Sequence, residues 1–305
     1  MDNTGTRCND VAMKFFKYHG TGNDFLVVDA RDGHPAGLTP EAARLLCDRN
    51  FGVGGDGILL VERGTASSWF MRVINSDGTQ AEMCGNGIRC VAKFIAEHLW
   101  EGDAPNSIPV ETPAGIRLCR LTRDRSGVVS TVAVSMGAPK TERADIPMTG
   151  RGSPFNVAVT VAGRPFVGNA VNMGNPHFVI FEDINGADAG HWGSILGSNE
   201  LFPSGANIEF AGRIDDNHFR LTVFERGCGL TMACGTGASA TAVAAVSNGL
   251  ASSGRPIRMD LPGGPLFITV ADDMSDVILE GPAMEVFSGS VDIQALCRTR
   301  GADHE

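Results

Sequence analysis

Two tetrapeptides in this chain of 305 residues carry reactive groups in the same setting: Cys84-Gly85-Asn86-Gly87 and Cys234-Gly235-Thr236-Gly237. Each stands just before a segment of helical pattern, so each cysteine falls at an expected helix start. The free backbone N–H groups and the dipole at such an end favour negative charge. A thiol placed there is drawn towards thiolate, and a carboxylate can dock on the same N–H groups. One such cysteine alone reads as a buried structural residue beside a glycine cap. Two of them, related by an internal repeat, can approach one ligand from opposite sides. That arrangement suits removal of an α-proton from one face of a carbon and redelivery on the other.

The repeat extends beyond the cysteines. MRVINSDGTQAEMCGNGIRCVAKFI aligns with LTVFERGCGLTMACGTGASATAVAA. Asn75 lies nine residues before Cys84, Glu225 lies nine before Cys234, and the cysteines are 150 apart. HGTGNDFLVV also resembles NMGNPHFVIF, with Asn23 and Asn175 offset by 152. A near-constant offset over several features predicts two similar domains about a pseudo-two-fold axis. The length also fits two domains of roughly 150 residues each.

The elements that must position these residues are mostly strands. Apolar runs bounded by Gly, Pro and Asp turns predict strands at 25–30, 58–63, 69–75, 128–135, 155–162, 177–182, 219–225, 266–271 and 277–281. Helices are expected over 40–50, with Thr39 as N-cap and Pro40 at the first helical position, over 88–99, and over 238–250. The last is apolar or small for most of its length. A helix of that kind must be buried on all sides, which in a β-rich chain predicts a helix enclosed by a curved sheet. Residues 1–12 and 298–305 read as frayed tails.

Composition excludes several functions. A hydrophobic fraction of 43% and a charged fraction of 20% are those of a globular protein. No apolar run approaches the ~18 residues of a membrane span, and the N-terminal segment has no signal-peptide core. The expected location is the cytoplasm, with no membrane partner. A net charge of −10 argues against nucleic acid. The eight cysteines contain no CxxC, so neither a disulfide framework nor a metal site is expected. Cys90, Cys119, Cys228 and Cys297 read as structural and Cys47 as core.

Deprotonating an amino acid at Cα often relies on pyridoxal phosphate held by a lysine. The four lysines, at 14, 17, 93 and 140, lie outside any Gly-rich phosphate cradle, and no dinucleotide fingerprint has the required spacing. The pattern favours chemistry without a cofactor or metal, with fixed dipoles and exclusion of water stabilising the carbanion.

Taken together, HGTGNDFLVVD, GVGGDGILLV, NSDGTQAEMCGNGIRC, NMGNPHFVIF, GANIEFA and FERGCGLTMACGTGA resemble the diaminopimelate epimerase family over roughly residues 14–293. The resemblance implies an α+β fold of two pseudo-symmetric β-barrel-like domains, each wrapped around a central helix, with the active site between them. The expected domains are 13–133 plus 279–297, and 134–278. It implies interconversion of LL- and meso-diaminopimelate, a precursor of lysine and peptidoglycan, by a homodimer acting on this small molecule alone.

The resemblance nominates Cys84 and Cys234 as base and acid, and Asn23, Asn75, Asn175 and Asn207 as substrate ligands. Glu225 and Arg226 would hold the distal amino and carboxylate groups. The backbone around Gly85, Asn86, Gly235 and Thr236 would cradle the reacting carboxylate, and His177 would lie near a catalytic thiol. An arginine can clamp a carboxylate through two parallel bonds. Singly, the asparagines read as turn formers, His177 as a structural histidine and Glu225-Arg226 as a surface pair. Gly57, Phe224 and Leu230 depart from the family pattern, which bears on substrate identity more than on reaction type. One alternative is a racemase of proline, hydroxyproline or histidine on the same fold, but Asn86 stands where proline racemases carry His. Another is a non-enzymatic metal or redox module using the paired cysteines.

Overall fold

The structure, a computed structural model, describes residues 12–301. Most of the first expected tail and half of the second lie outside that range, but residues 298–301 continue a helix. In chain order the first elements are β1 (Met13–Gly20), β2 (Asn23–Asp29), α1 (Pro40–Cys47), β3 (Gly57–Arg63), β4 (Trp69–Asn75), β5 (Gln80–Ala81) and α2 (Gly85–Phe94). There follow β6 (Ser107–Thr112), β7 (Gly115–Arg123), β8 (Val129–Ser135), β9 (Val157–Val161), β10 (Arg164–Asn172), β11 (Pro176–Ile180) and α3 (Gly186–Gly197). The remainder is β12 (Asn207–Asp215), β13 (His218–Glu225), β14 (Gly229–Leu230), α4 (Gly235–Ser247), β15 (Ile257–Leu261), β16 (Gly264–Val270), β17 (Val277–Pro282), β18 (Met284–Val291) and α5 (Ile293–Gly301). The fold is α+β. No helix among the described residues is long and apolar enough to cross a membrane.

The chain forms two compact units. One holds the described residues through Gly20, Asp24–Arg117 and those from Ala283 on; the other holds Thr21–Asn23 and Leu118–Pro282. These borders differ from 133/134 and 278/279. Strand β8 pairs with β17 as far as Thr131↔Pro282, which keeps both strands in the second unit.

In the first unit β2 and β3 run parallel, with Phe25 opposite Gly57, and β3 and β4 antiparallel, with Gly57 opposite Asn75. Leu26, Val28, Ile58 and Leu60 pack with Ala42, Ala43 and Leu46 of α1. Their neighbour Leu59 reaches Gly87 of α2 on the other face. A strand pair covered on both faces needs a continuous apolar run, and FLVV and ILLV supply it. All ten residues of α2 are buried, against β1, β3, β4 and β6. The expected helix over 88–99 therefore begins earlier, at Gly85, and its last turn widens into a π-helix over Ile95–Leu99.

The second unit repeats the plan. Strands β11 and β12 run parallel, with His177 opposite Asn207, and β13 runs parallel to β15. Helix α4 is enclosed by β10, β11, β12, β16 and β17. Its side chains are Ala, Gly, Ser, Thr and Val, small enough for strands on several sides. Helix α3 turns a glycine face to β13 and β14: a Cβ on Gly193 would lie 2.5 Å from Cβ of Phe224, and one on Gly190 would lie 3.5 Å from Leu230.

Candidate active site

Each nominated cysteine is the N-cap of an inner helix. Cys84 has φ −141° and ψ 110°, and Cys234 has φ −125° and ψ 111°. Both are extended, as an N-cap must be. Each carbonyl accepts the first helical bond, from Ile88 or from Ala238, at 2.9 Å. The glycines that follow are needed for space. A Cβ on Gly87 would meet Leu59 at 3.0 Å, and one on Gly237 would meet Glu209 Oε1 at 2.8 Å.

In the first unit the Cys84 sulfur accepts the Gly87 N–H at 3.3 Å. One helix-start N–H is thus aimed at this sulfur. Behind this loop lies Arg89, fully buried, whose Nη1 donates to the Gly85 carbonyl at 3.0 Å and to Asn86 Oδ1 at 2.9 Å. Burial lowers the guanidinium to about 10, while the Cys90 and Cys84 thiols act to keep it charged. Asn75 closes β4. Its Nδ2 donates to Thr79 Oγ1 at 3.0 Å, and its backbone N–H donates to the Thr79 carbonyl at 2.8 Å. A Cβ on Gly57 would come within 2.6 Å of the Ile74 carbonyl, so position 57 offers backbone only.

In the second unit most of the nominated residues lie at the ends of β11, β12 and β13 and at the start of α4. Cys234 is 5% exposed and lies 3.4 Å from the Thr236 hydroxyl. Burial pushes its thiol well above the ordinary value; the Glu225 carboxylate adds to this, the Thr236 hydroxyl opposes it, and Glu209 adds again. His177 is fully buried, with Nδ1 2.6 Å from Glu209 Oε1 and Nε2 2.9 Å from Asn175 Oδ1. Asn207 Oδ1 accepts the Arg226 backbone N–H at 2.8 Å. The Arg226 guanidinium donates to the Ser204 carbonyl, and Thr231 Oγ1 donates to Glu225 Oε1 at 2.7 Å. Asn23 ends the short segment Thr21–Asn23 that belongs to this unit. That segment is seated by close backbone contact, as a Cβ on Gly263 would overlap the Thr21 carbonyl at 1.9 Å.

So the first unit holds Asn75, Cys84, Gly85 and Asn86. The second holds Asn23, Asn175, His177, Asn207, Glu225, Arg226, Cys234, Gly235 and Thr236. Sequence reasoning missed Glu209 and Arg89. Each is a charged residue that the fold buries completely, a property the sequence does not mark. Of the remaining thiols, Cys47, Cys90 and Cys119 are buried. Burial raises them to about 11, 12 and 12. Cys297 is half-buried, whereas Cys228, read as structural, is exposed on the loop after Arg226. Cys8 lies outside the described residues.

Two units, each with a buried helix opened by a cysteine N-cap, define a fold shared with amino-acid epimerases. A hydroxyproline epimerase from Agrobacterium vitis superposes with a TM-score of 0.67 at 14% identity, over 92% of this chain and 91% of that one. At that identity the likeness is one of fold alone. The sequence is more particular. The family model for diaminopimelate epimerase matches residues 15–142 and 169–286. The diaminopimelate epimerase of Moorella thermoacetica is 44% identical over 280 residues, 91% of this chain and 98% of that protein. That of Synechococcus elongatus is 41% identical over 290 residues, 93% of this chain and 100% of that protein. The chain belongs to the diaminopimelate epimerase family.

Proposed function

We propose that the chain is an isomerase that interconverts LL- and meso-diaminopimelate by moving an α-proton between Cys84 and Cys234, without pyridoxal phosphate or metal. The observation that carries this reading is the duplicated cysteine N-cap, placed in a family whose relatives at about 40% identity bear that enzyme's name. A thiolate at one cysteine takes the proton from one face of Cα. The carbanion then takes the Sγ proton of the other cysteine on the opposite face, leaving the first a thiol and the second a thiolate. The reverse reaction exchanges these roles. The substrate's reacting carboxylate sits on the N–H groups at Gly85, Asn86, Gly235 and Thr236, where helix-end charge also stabilises the developing carbanion.

Arg226 takes the distal carboxylate as a planar fork, and Glu225 accepts from the distal ammonium. Asn23, Asn75, Asn175 and Asn207 supply neutral polar groups. Groups of this kind, once covered by a substrate, reject one that leaves them unpaired, which favours a substrate with two amino-acid centres over proline or hydroxyproline. The enzyme would serve lysine and peptidoglycan precursor synthesis in the cytoplasm, as a homodimer. The test is incubation of the dialysed protein with LL-diaminopimelate and no added cofactor, followed by stereoisomer analysis. Formation of the meso isomer is expected. Its absence, with turnover of proline instead, would overturn the reading.

A further inference from the structure

Strand β3 runs parallel to β2 and antiparallel to β4. The first residue of β2, the first of β3 and the last of β4 therefore fall at one end of the sheet. Those residues are Asn23, Gly57 and Asn75. Two of them are asparagines nominated for substrate. The third can bring no side chain, because a Cβ on Gly57 would lie 2.6 Å from the Ile74 carbonyl oxygen. The middle strand's side chain at this end is that of Asp56, one residue earlier.

Asp56 is bonded to the residue that directly follows each asparagine. Its Oδ2 accepts the backbone N–H of Asp24 at 3.1 Å, and its own N–H donates to the Asp24 carbonyl at 2.7 Å. Its carbonyl accepts the backbone N–H of Ser76 at 3.1 Å. At Asp24 a side-chain oxygen thus stands where a ladder carbonyl would, as aspartates at strand and helix openings often do. Each of the two N–H groups belongs to the rigid peptide plane that contains the preceding asparagine's Cα. Holding the N–H therefore holds the atom from which the asparagine side chain departs. The ion pairs nearby are a separate matter. Arg49 Nη2 donates to Asp24 Oδ1 at 2.6 Å and to Asp56 Oδ1 at 2.7 Å, and Lys17 Nζ lies 2.5 Å from Asp24 Oδ2. Arg49 is more than half exposed, so its pairs are screened and contribute little.

We infer that Asp56 is a positioning residue for substrate binding: it fixes the peptide planes that carry Asn23 and Asn75, its carboxylate acting on the first and its carbonyl on the second. The inference rests on the function proposed above, in which both asparagines bind diaminopimelate. Neither asparagine takes or gives the α-proton, so their placement governs affinity and leaves the chemical step alone.

Asp56→Ala keeps the carbonyl and removes the carboxylate, so the bond to the Asp24 N–H is lost. KM for diaminopimelate should rise about five- to tenfold, with kcat within about twofold of the wild type's. A residue that merely held the fold would do the reverse, since less folded enzyme lowers the apparent kcat and leaves KM where it was. Arg49→Gln breaks the ion pairs but spares the carboxylate, and its KM should stay within about twofold of the wild type's. On an Asn23→Ala background, Asp56→Ala should change KM by no more than about twofold, because the side chain that its carboxylate places is gone. Amide exchange followed by NMR needs no substrate: the Asp24 N–H should exchange about tenfold faster in Asp56→Ala than in the wild type. Unaltered exchange at Asp24 would overturn the inference, as would Arg49→Gln raising KM as far as Asp56→Ala does, or full additivity with Asn23→Ala. A wild type that leaves diaminopimelate unchanged overturns the proposed function and this inference with it. A wild type that epimerises it, while Asp56→Ala keeps the same KM, overturns this inference alone.

Discussion

The side-chain carbonyl of Asn207 accepts the backbone N–H of Arg226 at 2.8 Å, so a residue nominated to bind substrate is also the brace of its neighbour. Asn207 opens β12 and Arg226 follows the end of β13. The bond fixes where the chain leaves the sheet and where the guanidinium starts. Asn207→Ala should release it at a cost of about 1–2 kcal/mol. We expect KM for diaminopimelate to rise roughly five- to thirtyfold, with a smaller change in kcat. Steady-state kinetics check this, and an unaltered KM would remove Asn207 from both roles. Arg226→Lys should be tolerated no better than Arg226→Ala, because a point charge cannot replace a planar fork.

Cys84→Ala, Cys234→Ala and the double variant should be comparably inactive, since residues acting as one unit give non-additive losses. In D₂O the inverted isomer formed first should carry deuterium at Cα while recovered substrate stays largely protiated. The abstracted proton remains on the first thiol, and the second delivers one exchanged with solvent. Early-time mass spectrometry of the separated isomers distinguishes this from a single mobile base. Equal deuterium in both pools at low conversion would exclude two thiols.

Gly193 of α3 should accept no side chain. Its Cβ would stand 2.5 Å from Cβ and Cγ of Phe224, atoms that cannot swing away without moving β13. Gly193→Ala should cost about 1–3 kcal/mol through overpacking, although alanine is the better helix former. Thermal unfolding reads the sign: a Tm above the wild type's would show that helix propensity outweighs the clash.

Acid stability should depend on Asp24. It lies 2.5 Å from Lys17 Nζ and 2.6 Å from Arg49 Nη2. Burial works against its charge, but the bonds from Arg49 and Lys17 outweigh burial and bring the carboxyl from 3.8 down to about 2. A carboxyl lowered by folding stabilises the fold above its unfolded value and loses that contribution as pH falls towards its folded one. The urea-midpoint advantage of wild type over Asp24→Asn should therefore be complete near pH 6 and shrink from about pH 4 downwards. An advantage independent of pH would show that shape, not charge, holds this cluster.

What was legible in the sequence was whatever local pattern alone decides. Thr39 caps α1, with its hydroxyl accepting the Ala42 N–H at 3.2 Å, as a Thr-Pro pair before an apolar stripe predicts. All nine expected strands are present within a few residues of their bounds, since each is an apolar run between turn formers. Three of the elements missed are ones whose residues are chosen by their neighbours. Helix α3 carries glycines at 186, 190, 193 and 197, which weaken any helix in isolation and make sense only against Phe224 and Leu230. Strand β12 hides its character behind Glu209, which a two-sided strand normally forbids. Strand β10 mixes Gly168, Asn169 and Asn172 into its run; the ring of Phe178 would lie 2.2 Å from a Cβ at 168. The cysteines were legible because they repeat. Glu209 and Arg89 were not, because burial of a charge is a property of the folded surroundings and leaves no period in the chain.

Helix α4 has a consequence for how firmly the second thiol is held. Thirteen residues at ~1.5 Å each make a rod of roughly 20 Å, packed by strands on several sides, with Cys234 at its tip rather than on a loop. Amides in such a segment open only with the whole unit, so those from Ala238 to Ala245 should be among the slowest to exchange with deuterium. A methyl group added near the far end, at Ala244 or Ala245, has no room to be absorbed sideways. Its displacement would travel along the axis and arrive as an error in the height of the sulfur.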